Sequence, residues 1–253
     1  MNPRIELIPL SILGDIKPNE DLRYIILNSI KQNNENLFNG DIIVIAQKIV
    51  SKSEGRIINL ASVMPSCRAV RIAAECKKDA RIVELILQES KDILRVARGM
   101  IIVETRHGFI CANAGIDQSN VEDSDNNALL LPLNPDISAN KIRTLIREET
   151  GKEIAVIISD TFGRPFREGQ INIAVGIAGI EPIKNYVGTY DIYGKKLRVT
   201  EIAIADEIAS AAELSMGKSD RIPLVIVRGY PYPSVNNCSI SSVIRTKEKD
   251  LFR

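Results

Sequence analysis

Short, dense apolar runs set between turn residues constrain the fold of this chain more than any other feature. Ile42–Ala46 follows the turn Asn39-Gly40-Asp41, and Ile154–Ser159 follows Gly151. Pro223–Val227 is a third such run, and Ile171–Ile180 a fourth that glycines interrupt. Runs of this length read as strands buried within a sheet. Between them lie helical spacings. Leu22, Ile25, Ile26, Ser29 and Ile30 mark a first amphipathic helix. Pro65 to Ser90 reads as two helices, the second capped by Asp79. Ser138 is expected to cap a helix that carries Ile142, Leu145 and Ile146 and closes at Gly151. Thr200 is expected to cap another, ending at Met216-Gly217. Met100–Glu104 with Phe109–Ala112, and Tyr190–Val199 around Tyr193-Gly194-Lys195, read as hairpins. The tail from Tyr230 has little apolar periodicity and is expected to be partly mobile.

Strands and helices mix without the strict alternation of a doubly wound sheet, so the expected class is α+β. At 253 residues the chain exceeds a typical domain of ~100–150 residues, which suits one large domain or two interlocked lobes. No repeat, linker or composition break divides it, and residues 1–253 are taken as one unit.

Composition removes several function classes. A net charge of +1 supplies no field for nucleic acid or an anionic membrane, so any bound anion needs local groups. Aromatics at 4% with no Trp make a base-stacking platform an unsuitable reading. The start, Met1-Asn2-Pro3-Arg4-Ile5-Glu6, lacks the features of a signal peptide, and the longest apolar runs fall far short of the ~20 residues that span a bilayer. Cys67, Cys76, Cys111 and Cys238 form no C-x-x-C pair and read as buried, reduced thiols. A cytoplasmic protein is expected.

Three signatures fail on spacing. Gly217-Lys218-Ser219 imitates a P-loop end, but Ala212 stands where its first glycine belongs, and the segment follows a helix instead of opening one. The glycines at 176, 179 and 188 do not make G-x-G-x-x-G. His107 is the only histidine, so a cage of several histidines for zinc is ruled out, and a bound metal would be held by oxygen, as Mg²⁺ or Mn²⁺.

Oxygen ligands are therefore sought in loops after strands. In Asn113–Asn120, NAGIDQSN, Asp117 and Asn120 lie three apart on a turn rich in small residues, where both can reach a metal and a phosphate; a solvated Asx-turn is the plainer alternative. In Ser159–Gly169, SDTFGRPFREG, an apolar strand delivers Asp160 beside the hydroxyl of Thr161. Arg164 and Arg167 add donors for phosphate or carboxylate, unless this is a salt-bridged surface loop. Behind the first strand, Gln47–Arg56 offers Lys48, Lys52 and Arg56 to a polyphosphate, each of which also suits an exposed basic turn. Three such loops in one chain point to a nucleotide.

At these residues the chain resembles the family of ligases that add glutamate to the deazaflavin coenzyme F420. The resemblance is carried by NAGIDQSNV, ISDTFGRPFREG, and MGKSDRIP followed by VIVRG. It extends over Gly40–Arg56, His107–Val121, Leu130–Asp136, Ile158–Gly169, Gly188–Val199 and Ala205–Gly229. It implies that GTP phosphorylates the terminal carboxylate of the precursor, that the amine of L-glutamate displaces phosphate, and that a second glutamate joins through the γ-carboxylate. It also implies Mn²⁺ or Mg²⁺, two ions in all, with K⁺ stimulatory, and a two-lobed homodimer. Matched residue by residue, Asp117, Asp160 and Thr161 fall on metal positions. Leu13, Gly14, Asp15, Ile16, Gln47, Lys48, Lys52 and Asn120 fall on nucleotide contacts. Met216, Gly217, Lys218, Ser219, Asp220, Arg221 and Ile222 correspond to a further nucleotide segment. There is a departure: some relatives carry a metal-binding glutamate just after the Met-Gly, where this chain has Lys218, so either that site is completed differently, as by Asp220, or the correspondence is shifted by a gap there. A metal-dependent phosphohydrolase, or a non-catalytic nucleotide or deazaflavin carrier, could use the same aspartates, though a phosphohydrolase needs no surface for two organic substrates. His107 reads as a structural turn residue, with a place lining the deazaflavin site as the alternative.

Overall fold

The structure is a computed structural model that describes residues 4–251; Met1–Pro3, part of the segment read for an export signal, lie outside the described residues. In chain order the elements are β1 (Glu6–Leu10), α1 (Leu22–Gln32), β2 (Ile42–Ala46), α2 (Gln47–Ser53), β3 (Ile57–Asn59), α3 (Cys67–Cys76), α4 (Ala80–Gln88), β4 (Ser90–Ala97), β5 (Met100–Thr105), β6 (Ile110–Ala112), β7 (Asn127–Leu129), α5 (Pro135–Thr150), β8 (Ala155–Arg164), β9 (Arg167–Ala178), β10 (Lys184–Asn185), β11 (Glu201–Ile202), α6 (Ile204–Met216) and β12 (Leu224–Arg228).

The apolar runs form one five-stranded sheet in the order β1-β12-β2-β8-β9. Only β2 and β8 run parallel; the other pairs are antiparallel. The class is α+β, as expected. β2 and β12 sit inside the sheet and are buried along nearly their whole length, which explains their continuous apolar character. Helices α5 and α6 pack on this sheet. Gly176 in β9 permits the approach of α5, because a Cβ there would lie 2.5 Å from the carbonyl carbon of Pro135.

Two apolar clusters are buried among the described residues. The larger joins the five-stranded sheet to α1, α5 and α6. The smaller gathers Leu60, α3, α4, β5 and Leu130 beside the three-stranded sheet β4-β5-β6. A paired β3-β7 and a paired β10-β11 complete the strands. No helix among the described residues is long and apolar enough to cross a membrane.

Several local expectations change. Asn134, not Ser138, caps α5, its Oδ1 accepting from Ile137 N at 3.1 Å. Ser138 lies inside the helix, where its hydroxyl donates to Glu54 and to Asn134 O. Thr200 precedes β11 and caps nothing, because α6 starts later, behind Ala203. Ser90 opens β4, a strand its exposed and irregular pattern concealed. β1 was likewise not foreseen. The Tyr190–Val199 hairpin shrinks to one bridge, Tyr190 to Lys196, over a turn in which Asp191 Oδ1 accepts from Tyr193 N and Lys195 N. The tail is not loose through the 3-10 turn 240–243: Ile240 is buried, and Tyr232, Val243 and Ile244 pack on the larger cluster. All four cysteines are free; Cys76 and Cys111 are buried, but Cys67 is exposed.

Candidate active site

The last parallel pair between β2 and β8 is Ala46 opposite Ser159. Beyond it the two strands part. β2 turns at once into α2, while β8 runs on into a hairpin with β9. The carboxyl ends of parallel strands are where α/β sheets place their ligands, and here that place holds Gln47 and Lys48 on one side and Asp160 and Thr161 on the other. Both segments differ from expectation. The basic stretch is a helix whose Gln47 and Lys52 are buried, and the SDTFG segment is strand, not loop.

The segment 113–122 closes a third side. Asn113, Ala114 and Gly115 take φ values of 53°, 56° and 70° in succession, and a Cβ on Gly115 would lie 2.8 Å from Leu131 Cδ1. Such backbone is costly for ordinary residues and is held only where surroundings enforce it. The enforcement is visible: Asn113 Oδ1 accepts from Ile101 N, and Asp117 exchanges both backbone bonds with Leu129. Asp117 is thereby fixed beside Lys48, whose Nζ donates to Asp117 Oδ2 at 2.7 Å, to Ser119 O at 2.8 Å and to Ser119 Oγ at 2.6 Å.

The result is a cleft of about 1290 Å³ that these segments share with the loop 12–15 and with the end of α6 and its following loop. Of the residues matched to metal or nucleotide, Gly14, Asp15, Gln47, Lys48, Lys52, Asp117, Asn120, Asp160, Thr161, Met216, Gly217, Lys218, Ser219, Arg221 and Ile222 all line it. Three others do not. Leu13 points into solvent, Ile16 belongs to the core, and the Asp220 carboxylate folds back over Gly217. The arginines are elsewhere too. Arg56 is an internal strut, its Nε donating to Leu131 O and its Nη2 paired with Glu89 at 2.8 Å. Arg164 Nη2 donates to Glu168 O across the β8–β9 tip, and Arg167 is exposed there. Arg164 lies four steps along the strand from Asp160, roughly 13 Å at the rise of a strand. Neither arginine joins the aspartates.

Two carboxylates thus share the cleft in unlike states. Burial would raise the pKa of Asp117, but the hydrogen bond from Lys48, the Ser119 N–H and the nearby ammonium charge together hold it below the usual carboxylate range. Asp160 is pushed up to about 6, first by burial and further by the charge of Asp117, against the Thr161 N–H and the lysines 48 and 218. One carboxylate is held firmly ionised, while its neighbour gives up its proton less readily than an ordinary Asp. Among the described residues no three His, Cys, Asp or Glu side chains gather into a metal cage. Two carboxylates with room beside them suit Mg²⁺ or Mn²⁺, which take a few protein oxygens and complete their shell with phosphate and water. That fit holds on the Asp117–Asp160 side. On the Thr161 side the hydroxyl is already engaged, since Lys218 Nζ donates to Thr161 Oγ1 at 2.8 Å.

Sequence reasoning missed Gln170, Asn172 and Glu213, which also line the cleft. Asn172 had a signal, a carboxamide within an otherwise apolar strand. It is buried, and its Oδ1 accepts from Thr161 Oγ1 at 2.8 Å. Glu213 had none; it is paired with Lys218 at 2.7 Å. Gln47 Oε1 accepts from Ser51 Oγ, but its buried Nε2 finds no partner, leaving a donor at the cleft wall for a ligand.

Residues 12–229 match the family model described as F420-0:Gamma-glutamyl ligase. The chain belongs to this ligase family. It is therefore an enzyme, a ligase that forms an amide bond with glutamate. A coenzyme F420:L-glutamate ligase of Methanothermobacter thermautotrophicus is 49% identical over 251 residues, covering 98% of this chain and 97% of the relative. One from Methanocaldococcus jannaschii is 47% identical over 85% of both chains. One from Methanopyrus kandleri is 39% identical over 99% of this chain and 98% of the relative.

Proposed function

We propose that this chain is a GTP-dependent ligase that joins L-glutamate to the deazaflavin precursor of coenzyme F420, first through the amine to the lactyl carboxylate and then through a γ-link. The observation that carries the reading is the convergence of segments distant in sequence on one cleft, with Asp117, Asp160 and Thr161 facing Lys48, Lys52 and Lys218. Such a cleft suits two anions that must meet, a polyphosphate and a carboxylate. A divalent ion held by Asp117 and Asp160 would neutralise phosphate charge as it develops in phosphoryl transfer.

The chain's own groups do the rest. Lys48 releases Ser119 and Asp117 to reach a phosphate, and Lys52, tied to Asp15 at 3.2 Å, is a second point charge near the entrance loop. The buried Gln47 Nε2 donates to the nucleotide. No Ser-His-Asp set is needed, because the precursor's carboxylate attacks the γ-phosphorus, GDP leaves, and the glutamate amine then displaces phosphate from the acyl phosphate. Holding the reactants in line supplies much of the acceleration. The two buried clusters are read as the cores of two interlocked lobes, and the working form as a K⁺-stimulated homodimer in the cytoplasm. Purified protein with GTP, Mn²⁺, glutamate and the precursor should yield products heavier by whole glutamyl units in mass spectra. ATP supporting the same turnover would remove the nucleotide assignment, and no added glutamate would remove the reading.

A further inference from the structure

Lys218 stands in the cleft as a cation would. Its Nζ donates to Glu213 Oε1 at 2.7 Å and to Thr161 Oγ1 at 2.8 Å. An ammonium has only protons to give, so the Thr161 hydroxyl accepts from it and must send its own proton elsewhere. That proton goes inward, to Asn172 Oδ1 at 2.8 Å. Asn172 is held in turn, its Nδ2 lying 3.4 Å from Ser159 Oγ and its backbone oxygen accepting from Ser210 Oγ. The hydroxyl is thus oriented with its lone pair outward, the arrangement a metal-ligating hydroxyl needs, and the group on that lone pair is Lys218. The loop is also fastened behind, where Asn120 Nδ2 donates to Lys218 O at 3.2 Å.

The other subsite differs. Lys48 balances Asp117, but Asp160 beside it has no ion pair among the described residues. Asp117, Asp160 and Glu213 bring three negative charges to this wall against the two positive charges of Lys48 and Lys218. The uncompensated carboxylate is Asp160, next to Asp117 and not at Glu213.

We propose that Lys218 is the resident cation of the Thr161 subsite, with Glu213 as its anchor, so that the chain takes one divalent ion, between Asp117 and Asp160, where the family resemblance implies two. This rests on the cation-assisted reading above. The ammonium supplies a fixed positive charge to the polyphosphate on the side where a second ion would stand. When the nucleotide is absent, Glu213 keeps that charge from folding onto Asp160. The Lys218 side chain is 61% exposed, so replacing it removes charge without opening the core.

The test is a count of Mn²⁺ bound by the full-length chain with one equivalent of a non-hydrolysable GTP analogue, read from loss of the free-ion signal in electron paramagnetic resonance. The wild type should bind one Mn²⁺ per chain. Lys218→Ala, which frees Thr161 and Glu213, and Lys218→Glu, which adds a ligand, should each bind two. Two ions on the wild type would overturn the proposal and leave the Asp117–Asp160 assignment standing. One ion on all three proteins would also overturn it, since the lysine would then be displacing nothing. No bound ion on any of them would remove both this proposal and the reading on which it rests.

Discussion

Asp160 in β8 lies opposite Ile173, while Asn172 in β9 lies opposite Thr161, and the two polar residues serve the cleft differently. Asp160 is the carboxylate without an ion pair, so Asp160→Asn removes a ligand while keeping shape. Turnover should fall by at least ~100-fold, corresponding to the several kcal/mol a metal ligand contributes in phosphoryl transfer. The thermal midpoint should not drop. Near-normal turnover at saturating Mn²⁺ would show that the carboxylate is not a ligand. Asn172 is expected to act through Thr161, whose hydroxyl donates to its Oδ1. Asn172→Leu should leave the Thr161 proton without an inward acceptor and turn the hydroxyl's donor outward, against Lys218. Thr161→Val should show the same defect, whereas Asn172→Asp, which keeps an acceptor at that position, should restore function at least in part. The discriminating readout is KM against kcat: nucleotide KM should rise in Asn172→Leu with the melting curve unchanged. A loss that simply tracks a lowered melting temperature would make Asn172 a packing residue.

At the scale of elements, the packing of α6 on β9 contains a carboxylate in an unfavourable place. Asp206 lies in the first turn of α6, and its Oδ1 accepts from Ala174 N at 3.0 Å. Burial raises its pKa, and the Ala174 N–H only partly offsets that. A carboxyl whose folded pKa is raised contributes stability below its unfolded value, and that contribution is lost as pH rises through the folded value. Asp206→Asn keeps the acceptor and cannot ionise. In urea unfolding its stability advantage over the wild type should therefore widen from about pH 4 to about pH 7, the range above the ordinary Asp value. An advantage that is constant or narrows would contradict the burial argument. The same scale shows what was legible beforehand. β2, β12 and the inner portions of β8 and β9 were visible because both of their faces are buried, so their sequence is apolar without alternation. α3 and α4 were visible through caps and apolar spacing. β4 was not, because it is half exposed, and β1 was not, because Pro9 and an exposed edge dilute its pattern. The helix starts at 138 and 200 were misread because any Ser or Thr before an apolar stretch resembles a cap, and only tertiary contacts choose among them.

The whole molecule brings its chemistry together from a distance. Met216 belongs to the larger cluster and Ile116 packs on the smaller, yet both line the cleft, as do residues from both ends of the chain. Asp117, Asp160 and Lys48 could be nominated from motifs, since each stands behind a short apolar run in a stretch of unusual composition. Glu213 and the inward displacement of Arg56 could not, because a lysine partner and a strut are decided by where α6 and β3 come to rest. The arginines at 164 and 167 were placed in the cleft by nearness in sequence, but an extended hairpin carries them away from Asp160. The cations that remain along the cleft are Lys48, Lys52, Lys218 and Arg221. Under the proposed function the precursor's carboxylate is the nucleophile. With ¹⁸O in that carboxylate, attack on the γ-phosphorus makes a P–O bond to a labelled oxygen, and displacement by the glutamate amine breaks the C–O bond to it. One labelled oxygen should therefore leave in inorganic phosphate, with the other retained in the new amide. Label in GMP, or none in phosphate, would mean that a nucleotidyl transfer or direct amide formation runs the reaction, and the cleft's cations would have to be reassigned to a different phosphorus.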